Sequence, residues 1–201
     1  MLRVGLTGGI ACGKSTAAAM MREFGCQVLE ADSLAHRLMQ PGQPAYNEIV
    51  HEFGRQILQP GGPIDRVKLG AIVFTDEQKR KRLNQIVHPR VMEEQDRWLA
   101  ERERSDPRGV AVVEAPLLIE AGYHARVHRL VVVWCRPEQQ MERLLARGLT
   151  REQAEQRIAV QMPLEEKLRL ADDTIDSSGS IEATHHQIEQ LVAKLRLLAS
   201  A

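Results

Sequence analysis

Apolar residues in this chain fall into five short continuous runs, separated by polar, helix-forming stretches. The runs are Leu2–Thr7, Gln27–Glu30, Val110–Glu114, Arg129–Cys135 and a short Thr174-Ile175. Strands buried on both faces give continuous apolar runs, whereas half-exposed strands alternate apolar and polar residues. The pattern therefore predicts an α/β fold in which helices cover both faces of a five-stranded parallel sheet.

A long helical region follows the second predicted strand. Residues 33–106 have helical character, broken by Pro41-Gly42 and by the turn Pro60–Pro63. Thr75–Gln78 has the spacing of a capping box and predicts the start of a helix. Because proline favours helix ends, we expect that helix to end at His88-Pro89.

A second, shorter helical region follows the fourth predicted strand and covers residues 138–171. Thr150–Gln153 is another capping box, and Pro163 is expected to end the helix that it opens. An insertion here is a suitable place for a lid that closes over bound phosphates. We therefore expect one domain, with a core of residues 1–32, 107–137 and 172–201, a helical insertion at 33–106 and a lid at 138–171.

Composition excludes several classes of protein. The 201 residues include 27 Lys plus Arg and 27 Asp plus Glu, and only 3% are aromatic. A zero net charge with few aromatics argues against nucleic-acid binding. No apolar run approaches the ~20 residues of a membrane span, and the chain opens on a strand rather than a signal peptide. The three cysteines fit neither a disulfide framework nor a zinc site. We expect a cytoplasmic monomer.

The segment from Gly8 to Ser15 reads Gly-Gly-Ile-Ala-Cys-Gly-Lys-Ser and fits the phosphate-binding loop G-x-x-x-x-G-K-[ST]. It stands between a predicted strand and a predicted helix, as this motif requires. Its glycines allow backbone N–H groups to converge on an anion, and the helix adds the positive end of its dipole. We expect Lys14 to reach the β- and γ-phosphates of ATP, Ser15 to bind Mg²⁺ and Thr16 to contact the α-phosphate. The predicted nucleotide-binding residues are Gly8, Gly9, Ala11, Cys12, Gly13, Lys14, Ser15 and Thr16.

Asp32 directly follows the second predicted strand. Ligands of open parallel sheets bind beyond the carboxyl ends of the strands, so we expect Asp32 near the phosphate loop. Its carboxylate could accept the proton of an acceptor hydroxyl, or orient that hydroxyl toward a γ-phosphate. It could equally cap the helix that carries Leu34, Ala35 and Leu38. The residues alone leave both roles open.

Charged groups elsewhere have both a structural and a functional interpretation. Arg143, Arg147 and Arg151 could neutralise a transferring phosphoryl group from the lid, or form surface ion pairs with the many glutamates nearby. Glu114, at the end of the third predicted strand, is a candidate for holding the water shell of Mg²⁺. Lys79–Arg82 is either a solvated helix face or an attractive surface for a polyanionic substrate. Oxidation of Cys12 could block nucleotide binding, although a small tolerated side chain is the simpler interpretation.

Several longer motifs together resemble the dephospho-CoA kinase family. They come in the family's order and cover nearly the whole chain: Leu6–Ile10, Ala31–His36, Leu83–Pro89, Pro116–Glu120 and Ala171–Gly179. The resemblance implies a nucleotide core, a helical substrate-binding region and a lid. It also implies ATP-dependent phosphorylation of the ribose 3′-hydroxyl of dephospho-CoA.

The resemblance also implies roles for single residues. It places Asp32 near the acceptor hydroxyl and makes Arg147 the lid arginine that faces ATP. His88 and Leu117 join Asp32 as substrate-binding residues. The segment Arg147–Thr150 is one residue shorter than the family pattern, which leaves Arg143 and Arg151 as alternatives to Arg147. Two other functions are compatible with the residues: a different small-metabolite or nucleoside monophosphate kinase, and a slowly hydrolysing regulatory protein.

Overall fold

The computed structural model describes residues 1–200 of the chain. It has two compact units, of which the first consists of Met1–Glu30 and the chain from Leu99 onward, and the second of Ala31–Trp98. In chain order the strands and α-helices are β1 (Leu2–Gly8), α1 (Lys14–Glu23), β2 (Gln27–Glu30), α2 (Ala31–Leu38), α3 (Pro44–Phe53), α4 (Arg66–Thr75), α5 (Glu77–Ser105), β3 (Val110–Glu114), β4 (Arg129–Trp134), α6 (Pro137–Ala146), α7 (Arg151–Ala159), α8 (Leu164–Leu170), β5 (Asp173–Asp176) and α9 (Ile181–Ser200). Among the described residues, no helix combines the length and apolar character needed to cross a membrane.

The first unit is built on one parallel sheet with the strand order β2-β3-β1-β4-β5. The predicted α/β fold with a five-stranded parallel sheet is therefore confirmed. β1 lies between β3 and β4, with Leu6 in register with Glu114 and Gly8 in register with Val133. As a consequence, the carboxyl ends of three strands meet where the chain leaves β1.

The main core of this unit lies between one face of the sheet and the helices α1 and α9. Alternate residues of the strands point into it, as the two-residue period of a strand requires. They pack against the buried residues Ala17, Ala18, Met20, Met21, Ile188, Leu191, Val192 and Leu195. This packing fixes α1, and with it the loop that connects β1 to α1.

The second unit contains α2, α3, α4 and the greater part of α5. Two predictions fail here. His88-Pro89 does not end a helix, because α5 continues through Pro89 to Ser105. The residue that caps α5 is Asp76 rather than Thr75, since the Asp76 carboxylate accepts from the Lys79 amide at 3.1 Å. Thr75 instead closes α4 by donating its hydroxyl to the carbonyls of Ala71 and Ile72.

Three helices, α6 to α8, form the predicted lid region within the first unit. The capping box at Thr150 is confirmed: its hydroxyl accepts from the Gln153 amide, and the Gln153 side chain accepts from the Thr150 amide. Pro163 does not end α7, which stops at Ala159, but precedes α8 as its N-cap residue. A proline fits there because the first amides of a helix have no partner within it.

A buried lysine joins the lid region to the loop after β3. Lys167 of α8 is fully buried, and its ammonium donates to the Pro116 carbonyl at 2.9 Å and pairs with Glu120 at 2.9 Å. Glu120 also accepts from the Met162 amide at 3.0 Å, and Thr7 donates a second hydrogen bond to the Pro116 carbonyl. One lysine thus links α8, the segment after β3 and the end of β1.

We expect Lys167→Met to lower the free energy of unfolding by about 2 kcal/mol. This loss of stability is smaller than the loss expected for a fully buried ion pair, because 22% of the Glu120 side chain is exposed. Urea unfolding of this variant and of Arg169→Met, a change at an exposed position of the same helix, measures the difference. Equal stability of the two variants would show that the Lys167 contacts contribute nothing.

Candidate active site

The phosphate loop leaves β1 at Gly8, a position that only glycine can occupy. A Cβ atom built on Gly8 would overlap the carbonyl oxygen of Val133 on the neighbouring strand β4. At the other end of the loop, Gly13 has φ +80°, a left-handed conformation that glycine adopts without strain. The two glycines of the motif are therefore required by strand contact at one end and by backbone conformation at the other.

The first turn of α1 is suited to binding an anion. Gly13 is its N-cap residue, no side chain caps its free amides, and the first turn holds no acidic residue. No acidic residue of the helix itself therefore compensates the positive end of its dipole. Ser15 and Thr16 are exposed in this turn, so their hydroxyl groups are accessible to a ligand.

Lys14 forms an ion pair with Glu114, the last residue of β3. The pairing follows from the strand order, because β3 lies directly beside β1. Both side chains are largely buried, with 12% of Lys14 and 6% of Glu114 exposed. The structure thus brings together the predicted phosphate-binding lysine and the predicted carboxylate at one sheet edge.

Groups from outside the loop hold its backbone in place. Ala11 has φ +59°, and it is the only non-glycine residue with a positive φ in the part of the chain that is described. Its carbonyl accepts from the Arg143 guanidinium at 3.3 Å. Ser177, just after β5, donates to the Cys12 carbonyl at 2.8 Å and accepts from Arg143 through its own carbonyl at 2.8 Å. Arg143 is thus engaged with the loop backbone.

A cavity of about 170 Å³ opens beside the first turn of α1. Arg147 lines it, and so does Thr16 of the predicted nucleotide-binding set. Arg147 is exposed and follows the last residue of α6, where Gly148 with φ +86° turns the chain. The other lining residues are Ala11, Gly13, Arg143, Ser177, Gly179, Ile181 and Thr184. The structure therefore groups Arg147 with the phosphate loop.

Cys12 lies against a second cysteine beneath the loop. Its sulfur is 3.2 Å from that of Cys135, which follows β4, and both side chains are buried. Hydrogen bonding between the two thiols lowers the pKa of Cys135 and raises the pKa of Cys12. The third cysteine, Cys26, lies in the main core, and burial raises its pKa to about 11.

Three further predicted site residues are Leu117, Asp32 and His88. Leu117 is partly exposed in the segment after β3. Asp32 and His88 belong to the second unit. Asp32 is exposed and is the second residue of α2, inside its first turn rather than before it. Burial lowers the pKa of His88, which therefore stays neutral at pH 7.

No prediction from the sequence covered the polar side chains of residues 138–171 that touch the phosphate loop. Gln140 of α6 donates to the Ile10 carbonyl at 2.8 Å, and Gln161 accepts from the Ile10 amide at 3.0 Å. An apolar cluster of Ala11, Leu144 and Ala154 accompanies these contacts. A weak signal was present in the sequence, since the spacing of Ala154, Ile158 and Gln161 is that of one helical face.

Comparisons with known proteins agree with this arrangement. Residues 2–183 match the family model described as dephospho-CoA kinase. A dephospho-CoA kinase of Geobacillus kaustophilus is 48% identical over 191 residues, which cover 93% of each chain. Two solved structures are also similar. One is a Thermus thermophilus protein, with a TM-score of 0.80, 34% identity and coverage of 96% of this chain and 97% of that chain. The other is a dephospho-CoA kinase from Campylobacter jejuni, with a TM-score of 0.73, 26% identity and 97% coverage of both.

The family model spans nearly all of the chain, including the phosphate loop, the second unit and the lid helices. The relative from Geobacillus kaustophilus is similar over the same extent, well above the identity at which a fold alone is shared. The assignment made from sequence motifs is confirmed, and the chain belongs to the dephospho-CoA kinase family.

Proposed function

We propose that this protein transfers the γ-phosphoryl group of ATP to the ribose 3′-hydroxyl of dephospho-CoA, giving coenzyme A and ADP. The observation that carries the proposal is the family match over residues 2–183. The uncapped first turn of α1 with its adjacent lysine supports the ATP half. Nothing observed favours a different small-metabolite kinase or a regulatory protein that only hydrolyses nucleotide.

On the donor side, we propose that the loop residues from Gly8 to Thr16 hold the triphosphate and that Lys14 contacts the β- and γ-phosphates. Lys14 is paired with Glu114 in the structure, so ATP binding exchanges a carboxylate partner for phosphate oxygens. The exchange keeps the ammonium compensated throughout. Arg147 is the proposed lid residue at the phosphates, supported by its place in the cavity beside Thr16. Both cations stabilise charge that spreads over the transferring phosphoryl group.

The residues present fit a magnesium ion bound with ATP. Magnesium takes few protein ligands and completes its shell with phosphate oxygens and water. The exposed hydroxyl of Ser15 and the carboxylate of Glu114 are hard oxygen donors of the kind it prefers. No cluster of three or more His, Cys, Asp or Glu side chains that could hold a metal ion exists among the described residues. When bound, the ion neutralises charge on the β- and γ-phosphates.

On the acceptor side, we propose that Asp32 orients the 3′-hydroxyl or accepts its proton, and that His88 and Leu117 contact dephospho-CoA. A phosphoryl transition state of loose character needs little proton abstraction, which favours orientation as the larger contribution. The exposure of Asp32 leaves its carboxylate available to a substrate. The neutral imidazole of His88 can donate and accept a hydrogen bond. Residues 33–106 form the proposed acceptor-binding segment, residues 138–171 form the lid, and the rest is the nucleotide core.

A panel of acceptors tests the function. The protein is incubated with ATP, Mg²⁺ and either dephospho-CoA, AMP, GMP, shikimate or no acceptor, and ADP release is measured. We expect rapid ADP release only when dephospho-CoA is the acceptor. Turnover with AMP or GMP in its place would assign another kinase activity. Equal ADP release with and without any acceptor would indicate a nucleotide hydrolase.

A further inference from the structure

The peptide groups of Ile10 are held from both sides by the lid. The Ile10 amide donates to Oε1 of Gln161, and the Ile10 carbonyl accepts from Nε2 of Gln140. The two glutamines lie in different parts of the lid, one in α6 and the other after α7. Each uses the end of its amide that complements its partner, so the chemistry of the backbone fixes both orientations.

These contacts lie next to a strained backbone position of the loop. The next residue, Ala11, has φ +59°, a conformation that an alanine adopts only when its surroundings impose it. Gln140 is buried and lies against Gly9, where an added Cβ would be 3.0 Å from its Nε2 atom. The loop conformation therefore depends on side chains of the lid.

We infer that Gln140 and Gln161 are positioning residues that set the conformation of the phosphate loop and thereby its affinity for ATP. The inference rests on the proposed function, since it assigns ATP to this loop. In the structure both glutamines hydrogen-bond to the Ile10 backbone, so their proposed effect on ATP binding acts through the loop. Because both glutamines belong to the lid, a movement of the lid would change the backbone conformation of the loop that holds the nucleotide.

The opposite polarity of the two contacts gives a specific test. Gln161→Glu keeps an acceptor for the Ile10 amide, whereas Gln161→Leu removes it. Gln140→Glu places a carboxylate against a carbonyl and removes the donor. We expect Gln161→Glu to bind ATP nearly as well as the wild type. Gln161→Leu and Gln140→Glu should bind ATP about tenfold more weakly, the effect of one unsatisfied buried group.

Calorimetric titration with ATP measures these affinities without an acceptor, and steady-state kinetics supply the KM for ATP and for dephospho-CoA. The KM for ATP should follow the affinities, with the KM for dephospho-CoA unchanged. A purely structural role predicts that Gln161→Glu and Gln161→Leu behave alike, or that ATP affinity follows the unfolding midpoint. Either result would overturn the inference. If wild type binds ATP but does not turn over dephospho-CoA, the proposed function fails while the glutamine comparison still stands.

The thiol pair beneath the loop carries a second inference independently. The Cys12 and Cys135 sulfurs are 3.2 Å apart, and a disulfide needs only a modest further approach, to about 2.05 Å. The contact favours the thiolate of Cys135, whose pKa is lowered by hydrogen bonding to Cys12 and by nearby Arg143. Thiolates are the nucleophilic form of cysteine. Cys12 adjoins Gly13, the N-cap residue of α1, so a displaced Cys12 disturbs the anion site.

We propose that hydrogen peroxide converts Cys12 and Cys135 into a disulfide that prevents ATP binding. The Cys135 thiolate attacks a peroxide oxygen, an S–O bond forms, the O–O bond breaks, and the hydroxide released takes up a proton as water. The Cys12 sulfur then displaces the sulfenic hydroxyl group: the S–S bond forms, the S–O bond breaks, and the Cys12 proton leaves in a second water. Two thiols are oxidised, and one peroxide is reduced to two waters.

Cys26 provides the matched control, since it is buried like the pair but its pKa is raised, whereas the pKa of Cys135 is lowered. Wild type, Cys26→Ser and Cys135→Ser are treated with peroxide, digested without reductant and analysed by mass spectrometry. We expect a Cys12–Cys135 linked peptide in the first two proteins. Both should lose ATP binding and regain it with dithiothreitol, whereas Cys135→Ser keeps ATP binding. Absence of the linked peptide, or equal loss in Cys135→Ser, would refute the proposal.

Discussion

Lys14→Ala is expected to lower kcat about 10²- to 10³-fold, the loss typical of removing one preorganised donor from a transition state. Lys14 is the proposed contact to the phosphates between which the bond breaks, and its ammonium lies at the first turn of α1. Binding of ATP should weaken less than kcat falls, because the loop amides and the helix dipole remain. Steady-state kinetics with saturating dephospho-CoA measure both.

The ion pair with Glu114 complicates this variant and also supplies its control. Removing Lys14 leaves a carboxylate that is 6% exposed without its partner, which costs about 3 kcal/mol of folding stability. The double variant Lys14→Ala/Glu114→Gln removes the unpaired charge and should recover most of that stability. Its kcat is compared with that of Glu114→Gln, which lacks the same proposed magnesium ligand, and should lie about 10²- to 10³-fold below it. Equal kcat in these two variants would show that Lys14 acts in folding alone.

Asp32→Asn is expected to lower kcat about 10²-fold, at the lower end for a lost acid–base or orienting group. The KM for ATP should change little, because Asp32 is proposed to act on the acceptor. The same carboxylate lies in the first turn of α2, where a negative charge also stabilises the helix dipole. Asp32→Glu separates the two roles, since it keeps the charge in that turn but moves the carboxylate by one methylene group. We expect Asp32→Glu to fold like the wild type and remain strongly impaired. Full activity in Asp32→Asn would leave Asp32 with a helix role only.

Where a feature depends on neighbouring residues, the sequence predicted it well. The five apolar runs became the five strands. The reason is clearest for β1, β3 and β4, which are largely buried, because a central parallel strand needs apolar side chains on both faces. The phosphate loop was recognisable because its geometry requires glycine at Gly8 and Gly13. The Thr150 capping box was correct because its two hydrogen bonds join residues only three positions apart, Thr150 and Gln153.

Predictions failed where tertiary context decides the outcome. A proline ends an isolated helix, yet α5 continues through Pro89. Part of the reason is that Arg90 donates to the Ile86 carbonyl in that turn and pairs with Glu48 of α3 at 2.5 Å. These contacts stabilise the helical turn at Pro89, so α5 continues past it. Asp76 caps α5 because Thr75 is already used by α4.

Contacts between distant parts of the chain had no local signal at all. Gln140 and Gln161 are separated from Ile10 by 130 and 151 residues, and glutamine in a charged helix is ordinarily a solvated side chain. The proximity of Cys12 to Cys135 likewise follows only from the pairing of β4 beside β1. Such contacts became visible only once the strand order was known.

In the proposed reaction, one defined hydroxyl group receives the phosphoryl group of ATP. ATP labelled with ³²P at the γ-position is incubated with dephospho-CoA and Mg²⁺, and the labelled product is isolated and treated with a 3′-nucleotidase. We expect the label to appear in coenzyme A and to be released as phosphate by that enzyme. Label found as inorganic phosphate before the treatment, or in a product that the 3′-nucleotidase does not cleave, would contradict the proposed reaction.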